Sequence, residues 1–458
     1  MPRRTLRTAA TLGVAAVMGA GLLPALTAGT AQAAPARHAD DFDGDGYRDY
    51  AAYLPWSDQA RGAGAVEITY GTATGPGTRR QVVHQNSAGV PGANETDDDF
   101  GTVRTSADFN RDGYADLAVS APGETVSGRE RQGAVTVLWG SRNGLSGGTN
   151  VPNQSPSAYE QFGSDLAAGD FNGDARPDLA VIDGSYAYVF RGAVTPSGVA
   201  GSLTRLNRDV GFFATRLIAG NVTRDAATDL VVIGANGLEG REGTEAWFVR
   251  GGSTLASGAS LRLADSQTGW AADGVIADFN RDGYGDIAIG DDTWSDWRGR
   301  VSVWRGGANG PGASARIGQS TAGVAGAAEP DDAFGQSVSA GDVDGDGYAD
   351  LAVGSPGETI GAAESTGSAY VLRGGSGGLT GTRSQVFDRG TAGVPGGRTA
   401  YDTFGAAVRL RDTNGDRRAD LLVDGRQPSV RLPGTASGVT ATGASWWGDG
   451  ASADAVLQ

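Results

Sequence analysis

Oxygen-bearing side chains recur along this chain at a short, fixed spacing. A nine-residue pattern, Asp-x-Asp/Asn-x-Asp-Gly-x-x-Asp, is found seven times with variations, from Asp41 in the first copy to Asp412 in the seventh. The pattern offers side-chain oxygens at positions 1, 3, 5 and 9, a backbone carbonyl at position 7 and a glycine that permits a tight turn. Ca²⁺ prefers a flexible cage of about six to eight such oxygens. The spacing therefore predicts a series of calcium loops.

Six copies keep the ligand set, and the fourth copy has lost part of it. In the fourth copy, Asn221 and Thr223 leave only two carboxylates, Asp225 and Asp229, so we expect that loop to be weak or empty. About six calcium sites are predicted, and the first and sixth of them would hold four carboxylates each. The predicted metal ligands are Asp41, Asp43, Asp45, Asp49, Asp108, Asn110, Asp112, Asp116, Asp170, Asn172, Asp174, Asp178, Asp278, Asn280, Asp282, Asp286, Asp342, Asp344, Asp346, Asp350, Asp412, Asn414, Asp416 and Asp420.

Other kinds of loop fit this pattern less well than a calcium loop. An EF-hand would place a glutamate at position 12, but that position is Ala52, Val119 or Val353, inside an apolar run. Mg²⁺ fits less well because it demands a small octahedral shell. A set of Asx turns without an ion stays an alternative. Because each loop supplies its own ligands and leaves no open position, we expect the ions to be structural and predict no catalytic residue.

The segments around the loops repeat as well. An aromatic residue, usually followed by glycine, stands eight residues before each loop from the second copy onward, as in Phe100-Gly101 and Phe334-Gly335. A short apolar run follows each loop, and a second apolar run follows the first. Runs of four to six residues bounded by glycine are typical of strands. Successive loops begin 51 to 70 residues apart, which suits one four-stranded propeller blade per repeat.

These motifs resemble the FG-GAP repeat family. The resemblance rests on the Phe-Gly start, the aspartate loop and the Pro-Gly-Glu sequence after the first apolar run, at residues 121–124 and 355–358. It extends over nearly the whole chain after residue 33. FG-GAP repeats build the seven-bladed propeller of integrin α-subunits and of many secreted bacterial proteins. The resemblance implies an all-β, seven-bladed β-propeller of four-stranded blades, over residues 34–458, with calcium loops between strands A and B.

The two ends of the chain are predicted to meet. The first copy begins too near the start of the repeats to have its own strand A, while residues 446–454 match residues 270–278 in spacing. We expect the C-terminal strand to supply the missing inner strand of the first blade and to close the ring. A tail that matches by chance is the alternative.

The first 33 residues read as a targeting segment. Arg3, Arg4 and Arg7 precede an apolar run, and a small-x-small pattern ends at Ala33. This predicts a signal peptide over residues 1–33, cleaved after Ala33, and a secreted, extracellular protein. Ordinary secretory export, twin-arginine export and an uncleaved anchor stay open. No later segment is long and apolar enough to span a membrane.

The composition excludes several classes of function. The net charge of −16 disfavours contact with nucleic acid, and the absence of cysteine excludes disulfides and thiol chemistry. Two histidines, His38 and His84, leave little material for acid–base catalysis.

Partner binding is predicted on the face opposite the calcium loops. In an up-and-down blade, the B–C and D–A loops share that face, and loops of variable length are where binding residues concentrate. The candidate ligand-binding residues there are Trp56, Trp294, Trp297 and Arg298. Burial of these tryptophans at the rim or in the central channel is the alternative.

Two functions follow from this reading. The first is a calcium-binding propeller that acts as a binding, adhesion-like or scaffold module for a protein or glycan. The second is a carbohydrate-binding lectin, or a polysaccharide lyase of the propeller type. We do not favour an enzyme, because a lyase needs a base and His84 has no evident partner in the sequence.

Three D–A segments have nearly the same sequence. They cover residues 87–92, 321–326 and 391–396, and each is followed by an aspartate two residues before the phenylalanine. Such sameness indicates a repeated blade junction. Glu124 and Glu358, which occupy matching places, are interpreted as structural for the same reason.

Overall fold

The computed structural model describes residues 34–57, 60–192, 194–199, 201–208, 211–237, 243–264, 273–448 and 452–457. The predicted signal peptide, 1–33, lies outside the described residues. None of the helices in the described part of the chain has the length and apolar character needed to cross a membrane.

The chain forms seven small antiparallel sheets in sequence order, one for each repeat. Within the described residues, six sheets have four strands and the first has three. The strands of blades 1 to 3 are β1 (Tyr50–Ser57), β2 (Ala60–Thr72), β3 (Gly75–Val83), β4 (Arg104–Ala107), β5 (Asp116–Ala121), β6 (Ala134–Trp139), β7 (Ser146–Asn150), β8 (Leu166–Gly169), β9 (Asp178–Asp183), β10 (Tyr186–Arg191) and β13 (Ser202–Leu206), with β11 (Val194–Thr195) and β12 (Gly198–Val199) forming a small hairpin between β10 and β13.

The remaining four blades repeat the same order. Their strands are β14 (Phe212–Gly220), β15 (Asp229–Asn236), β16 (Gly243–Arg250), β17 (Ala256–Ala264), β18 (Gly274–Ala277), β19 (Asp286–Asp291), β20 (Arg300–Trp304), β21 (Ser314–Ile317), β22 (Val338–Gly341), β23 (Asp350–Ser355), β24 (Ser368–Arg373), β25 (Thr380–Phe387), β26 (Val408–Arg411), β27 (Asp420–Val423), β28 (Val430–Leu432) and β31 (Ser445–Trp446). A short helical turn, α1 (Trp294–Trp297), joins β19 to β20, and β29 (Gly434–Thr435) with β30 (Gly438–Val439) forms a second small hairpin.

The second strand of each blade is the most deeply buried. Every residue of β5, β9, β19 and β23 is buried, because apolar side chains on both faces pack against the neighbouring blades. The hydrophobic core is accordingly divided into seven clusters, each between two successive blades. These blades form the all-β, seven-bladed propeller that the sequence predicts.

The phenylalanines of the Phe-Gly pairs lie between blades. Phe100, Phe162, Phe334 and Phe404 are almost completely buried. Gly101 has a φ of +93°, and a Cβ there would come within 2.5 Å of Val66 Cγ2, so only glycine fits this close contact. In the fourth repeat the register differs. Phe212 is the buried aromatic, while Phe213, which the sequence aligns with the other phenylalanines, is exposed at the start of β14.

The C-terminus reaches the inner edge of the first blade, as predicted. Tyr50 of β1 packs edge-on against Trp447, and both belong to the core cluster that joins blade 7 to blade 1. Arg104 Nη2 of β4 lies 2.7 Å from Asp454 Oδ2, and Arg409 Nε of β26 donates to the Val456 carbonyl at 3.1 Å. The ring is thereby closed.

The conformation of this closing segment differs from the prediction. Residues Ala453–Ala455 form a 3₁₀ turn rather than a strand hydrogen-bonded to β1. Ser452 caps the turn, and Asp424 Oδ1 accepts the Ala453 N–H at 2.7 Å. Side-chain and capping contacts therefore hold the segment in place of a strand ladder.

Candidate metal centres

All seven aspartate loops connect strand A to strand B, or precede strand B in the first blade. The ninth residue of each loop is the first residue of strand B or directly precedes it. In the second blade, Asp116 Oδ2 accepts the Phe109 N–H and its Oδ1 accepts the Gly140 N–H, both at 2.9 Å. The ninth aspartate thus ties the loop to the end of strand C. The equivalent bond to the glycine after strand C recurs at Asp49, Asp178, Asp229, Asp286, Asp350 and Asp420.

The first and fifth residues shape the turn. Asp108 accepts the N–H groups of Asp112 and Gly113 at 3.0 and 3.1 Å, and Asp112 Oδ1 accepts the Tyr114 N–H at 3.0 Å. These contacts form nested Asx turns, built by the same side chains that the sequence predicts as ligands. The Asx turns are therefore part of the predicted cage, and their presence does not decide between a loop with an ion and one without.

The backbone at position 6 separates the fourth loop from the others. Gly46, Gly113, Gly283 and Gly347 have positive φ there. In the third loop Ala175 adopts a φ of +62°, and in the seventh Arg417 adopts +69°, so these loops keep the turn without the glycine. The sequence analysis did not single out Arg417. Ala226 of the fourth loop is absent from the positive-φ residues, and the turn there is different.

Two of the loops bring three carboxylates together. Oxygens of Asp41, Asp43 and Asp49 lie within 4.8 Å of one another, and so do those of Asp342, Asp344 and Asp350. These are the first and sixth copies, the two with four acidic residues. The fifth-position carboxylates, Asp45 and Asp346, lie outside these groups and cap the N–H of position 7.

Burial makes it costly to keep these carboxylates charged. It raises the pKa of Asp49 to about 8, with Asp43 and Asp41 adding repulsion. It also raises the pKa of Asp116 to about 8 and that of Asp350 to about 6. A bound divalent cation would favour the charged form of each group and reverse these shifts. The donor set therefore fits a hard cation.

Arginines stand beside four of the loops, and the sequence analysis missed this role. Arg373, which ends strand C of blade 6, is buried against Asp344 and lies 3.2 Å from Asp350. Arg79 lies 2.6 Å from Asp43 in the first blade, and Arg431 lies 2.9 Å from Asp420 in the seventh. For Arg373 the signal in the sequence was the Arg-Gly pair that ends several second apolar runs, whereas neither Arg79 nor Arg431 is followed by glycine. The sequence does not reveal the role of Arg373, because the direction of strand C is what brings the side chain back to the loop.

In the fourth loop an arginine pairs directly with one of the two remaining carboxylates. Arg250 Nη2 and Nε lie 3.0 and 3.3 Å from Asp225 Oδ2. Burial opposes the charge of Asp225, but the hydrogen bonds from Arg250 and from the Ala227 N–H bring its pKa below the ordinary value. Thr223 Oγ1 donates to Asp229 Oδ2 at 2.9 Å. These side chains satisfy one another, and the weak or empty fourth site stays a prediction.

The candidate binding residues of blade 5 lie together in α1. Trp294 and Trp297 are 41% and 51% exposed, so they do not plug the rim or the channel. Arg298 Nη1 donates to the Ser295 carbonyl at 2.8 Å and lies 3.1 Å from Asp296 Oδ2. The side chain of Trp56 lies outside the described residues.

The fold and these loops define a class of protein. It is a seven-bladed β-propeller whose blades carry an aspartate-rich loop between strands A and B. The model of the FG-GAP repeat family matches residues 100–138 and 334–372, which lie in the second and sixth blades. The chain therefore carries FG-GAP repeats, and the resemblance drawn from its motifs is confirmed.

Curated relatives share parts of this chain. Phosphatidylinositol-glycan-specific phospholipase D of Bos taurus is 34% identical over 144 residues, which cover 31% of this chain and 17% of the relative. The phospholipase of the same name from Mus musculus is 44% identical over 89 residues, or 18% of this chain and 10% of the relative. Integrin alpha pat-2 of Caenorhabditis briggsae is 35% identical over 97 residues, or 19% and 7%. Each match thus covers less than a fifth of the relative.

One solved structure can be superposed on most of this chain. It is that of an Agrocybe aegerita lectin that recognises non-reducing terminal N-acetylglucosamine. It covers 84% of this chain and 88% of its own, at 15% sequence identity and a TM-score of 0.49.

Proposed function

We propose that this chain is a secreted, calcium-stabilised propeller that binds a protein or glycan partner with the face opposite its A–B loops. The exposed aromatic side chains carry the proposal. Among the described residues eight aromatic side chains are strongly exposed, and seven of them lie in B–C loops, D–A loops or the strand ends beside them. The seven are Tyr159, Tyr186, Phe213, Trp294, Trp297, Tyr401 and Trp446.

Calcium belongs to this proposal as a structural component. Six loops would hold one ion each, through their own aspartate and asparagine oxygens, while the fourth loop would rely on Arg250. An ion bound across positions 1 to 9 would fix the A–B turn and, through the ninth aspartate, the end of strand C. Export would supply the calcium, because weak sites fill only where the ion is near millimolar concentration.

The proposed binding face combines aromatic rings with charged groups. The hydroxyl of Tyr159, between blades 2 and 3, bonds to Glu130, and that of Tyr401, between blades 6 and 7, bonds to Glu364 in the same arrangement. The Arg300 guanidinium stacks on Trp294 at 4.7 Å from the ring centroid. Rings held by such contacts lose little conformational entropy on binding, and they suit stacking on a sugar or anchoring of a protein loop.

The binding face can be tested by comparing two variants that alter opposite faces. Trp294→Ala/Trp297→Ala removes two rings from the proposed face, and Tyr47→Ala removes the one strongly exposed aromatic of an A–B loop. The probe is a glycan array, followed by a lyase assay on anionic polysaccharides. Sugar binding that the double variant loses and Tyr47→Ala keeps would support the proposal for a glycan partner. Binding lost equally in both variants would contradict it.

The same experiment separates the carbohydrate-active alternative. Binding without turnover would define a lectin-like module, and turnover would define a lyase. Neither binding nor turnover would favour a protein partner and an adhesion-like or scaffold role. A lyase would need a general base, and the histidine nearest the variable D–A region, His84, has its Nδ1 buried without a hydrogen-bond partner in the described part of the chain.

A further inference from the structure

Three blade junctions on the face opposite the A–B loops have the same backbone arrangement. Each lies between a D–A segment and the B–C loop of the next blade, next to a nearly buried aspartate: Asp98, Asp332 or Asp402. The carbonyl of that aspartate accepts an N–H from the B–C loop in every case, at 3.0, 3.1 and 2.6 Å. The three junctions therefore present equivalent positions around one small pocket, and the side chains at these positions can be compared directly.

The charges in the three pockets differ in a correlated way. Beside Asp98 stand Gln85 and Glu124, and the Gln85 amide donates to the Glu124 carboxylate. Beside Asp332 stand Gln319 and Glu358, with the same contact between them. These two junctions, which we call the acidic junctions, each bury two carboxyl groups and an uncharged amide.

The junction before blade 7 carries an arginine where the acidic junctions carry a glutamine. Arg389 has a fully buried side chain and lies 3.1 Å from Asp402 Oδ2. Its Nη1 and Nη2 donate to the carbonyls of Pro395 and Pro428 at 3.1 and 2.8 Å. The position that corresponds to Glu124 and Glu358 is Gln427, whose N–H donates to Asp402 Oδ1 at 2.8 Å. The pocket that gains a positive charge thus loses a negative one, and its net charge rises from −2 to 0.

The acidic junctions also hold oxygen atoms that lack a donor. Gln85 and Gln319 are 3% and 2% exposed, and the Oε1 of each has no hydrogen-bond partner among the described residues. Each amide contacts its glutamate through Nε2, so rotating the amide by half a turn would place Oε1 against the same carboxylate. In the adjoining B–C loops, Gln132 Oε1 and Thr366 Oγ1 are likewise buried without a partner. Unsatisfied buried acceptors of this kind are rare and costly.

We propose that each acidic junction binds one hard divalent cation through the paired carboxylates Asp98 and Glu124, or Asp332 and Glu358, with the neighbouring glutamine amide oxygen as a further ligand. Arg389 is the built-in substitute for that cation at the third junction. These sites are separate from the A–B loops and lie at the other end of the blades. They would fasten each B–C loop to the D–A segment of the next blade, on the face proposed to bind the partner.

A shared proton is the competing explanation, and the surroundings argue against it. Burial raises the pKa of Glu124 and of Glu358 to about 7, and neighbouring carboxyls add to the shift. A proton on either glutamate would provide one donor. It would leave the amide oxygen unsatisfied and the aspartate charged. A cation contacts carboxylate and amide oxygens together, as the Arg389 guanidinium contacts Asp402 and two carbonyls.

The charged and titratable groups that face the two glutamates are few. Glu124 faces Asp98 and Glu95. Glu358 faces Asp332, Glu329 and the Tyr370 hydroxyl, which lies 3.3 Å from Glu358 Oε2. None of these groups supplies a positive charge to the glutamates, while the charge of Arg298 acts on Asp332.

The test is the number of calcium ions bound by the purified full chain in equilibrium dialysis at neutral pH. The variant Glu124→Gln/Glu358→Gln should bind two ions fewer than the wild type, with the A–B loop ions retained. Placing the blade 7 pair in blade 2, as Gln85→Arg/Glu124→Gln, should remove one ion. Because it supplies the guanidinium, this variant should keep the wild-type melting temperature in chelator. The control Glu130→Gln alters an exposed glutamate of the same face and should bind as many ions as the wild type.

Two results would overturn the proposal. One is an unchanged ion count in both glutamate variants, with only the pH dependence of melting altered, which would show that the junctions hold a proton. The other is a count that also falls in Glu130→Gln. If the A–B loops did not bind calcium, the wild type would bind only the two junction ions, and the glutamate variants would still bind fewer ions than the wild type. That result would contradict the proposal for the A–B loops and not the proposal for the junctions.

Discussion

The fourth and sixth A–B loops occupy the same place in their blades and use different means to hold the turn. In the sixth loop Asp342, Asp344 and Asp350 converge, and Arg373 offsets part of their charge. In the fourth loop Arg250 and Asp225 pair directly, and no comparable group of three acids forms among the described residues. Both loops keep the ninth aspartate bound to the glycine after strand C.

This difference shows which part of the repeat is indispensable to the fold. The contact between the ninth aspartate and strand C is present in a loop that has lost most of its ligands, so it belongs to the blade itself. The ligands at positions 1 and 3 belong to the proposed ion. We expect a guanidinium to replace the proposed ion where the ligands are lost, in the fourth A–B loop and, with Arg389, at the junction before blade 7.

Chelation should produce the largest effect and should act on the sixth loop but not the fourth. By linkage, each ion that binds only the folded chain adds about 2.7 kcal/mol to the free energy of unfolding at one hundred times its Kd. Removing the ions of about six A–B loops, together with the two proposed junction ions, by excess chelator should lower the melting temperature markedly, and calcium should restore it. A melt that is the same with and without chelator would show that the loops are Asx turns without ions.

A single ligand change should distinguish the two loops. Asp342→Asn in the sixth loop should cost one bound ion and about 2 to 3 kcal/mol of stability in saturating calcium. The same substitution at position 5 of the fourth loop, Asp225→Asn, should leave the ion count unchanged, because position 1 there is already Asn221. Calcium dialysis with parallel melting curves measures both. An ion lost from the fourth-loop variant would mean that Arg250 does not replace the cation.

The pH dependence of the melting temperature should differ between chelator and calcium. Folding raises the pKa of several carboxyls, among them Asp49, Asp116 and Glu124. These groups therefore bind protons more tightly in the folded chain than in the unfolded chain. In chelator, therefore, the melting temperature should fall as the pH rises from about 4 toward 8. In calcium it should not fall, because the ion competes with the proton for the same oxygens. Parallel slopes in the two buffers would contradict this.

The smallest effect should come from the arginine of the fourth loop. Arg250 and Asp225 are partly exposed, so Arg250→Gln should cost no more than about 1 kcal/mol. The cost should be the same in chelator and in calcium, since no ion takes part, and should shrink at high salt. Urea melts of the variant in the two buffers measure it. A cost that appears only in chelator would place an ion in the fourth loop.

The sequence predicted the repeating elements well because their signals are local. The nine-residue loops, the Phe-Gly pairs and the short apolar runs are contiguous in the chain, and strands β5, β9, β19 and β23 begin at the ninth aspartate of their loops as the runs indicate. The worn fourth loop was also recognisable, because it lacks acids at positions 1 and 3. Calcium itself stays a prediction.

Contacts between distant segments could not be read in the same way. Gln85 and Arg389 occupy equivalent places, yet their pockets became comparable only once Glu124 and Gln427 were seen to complete them from the next blade. The closing segment at Asp454 was placed correctly by its spacing, but its 3₁₀ turn depends on Asp424, Arg104 and Arg409, which lie elsewhere in the chain.

The sequence by itself determined the number of blades, the position of each loop and the ligand set that each loop offers. Of the 53 acidic residues, 22 lie in those loops, which explains much of the acidity. The tertiary structure alone decided which arginines neutralise which acids, which aromatic rings stay exposed and how the ring closes. The physical reason is that turn chemistry acts between neighbours in sequence, whereas burial and the pairing of charges depend on how the blades pack together.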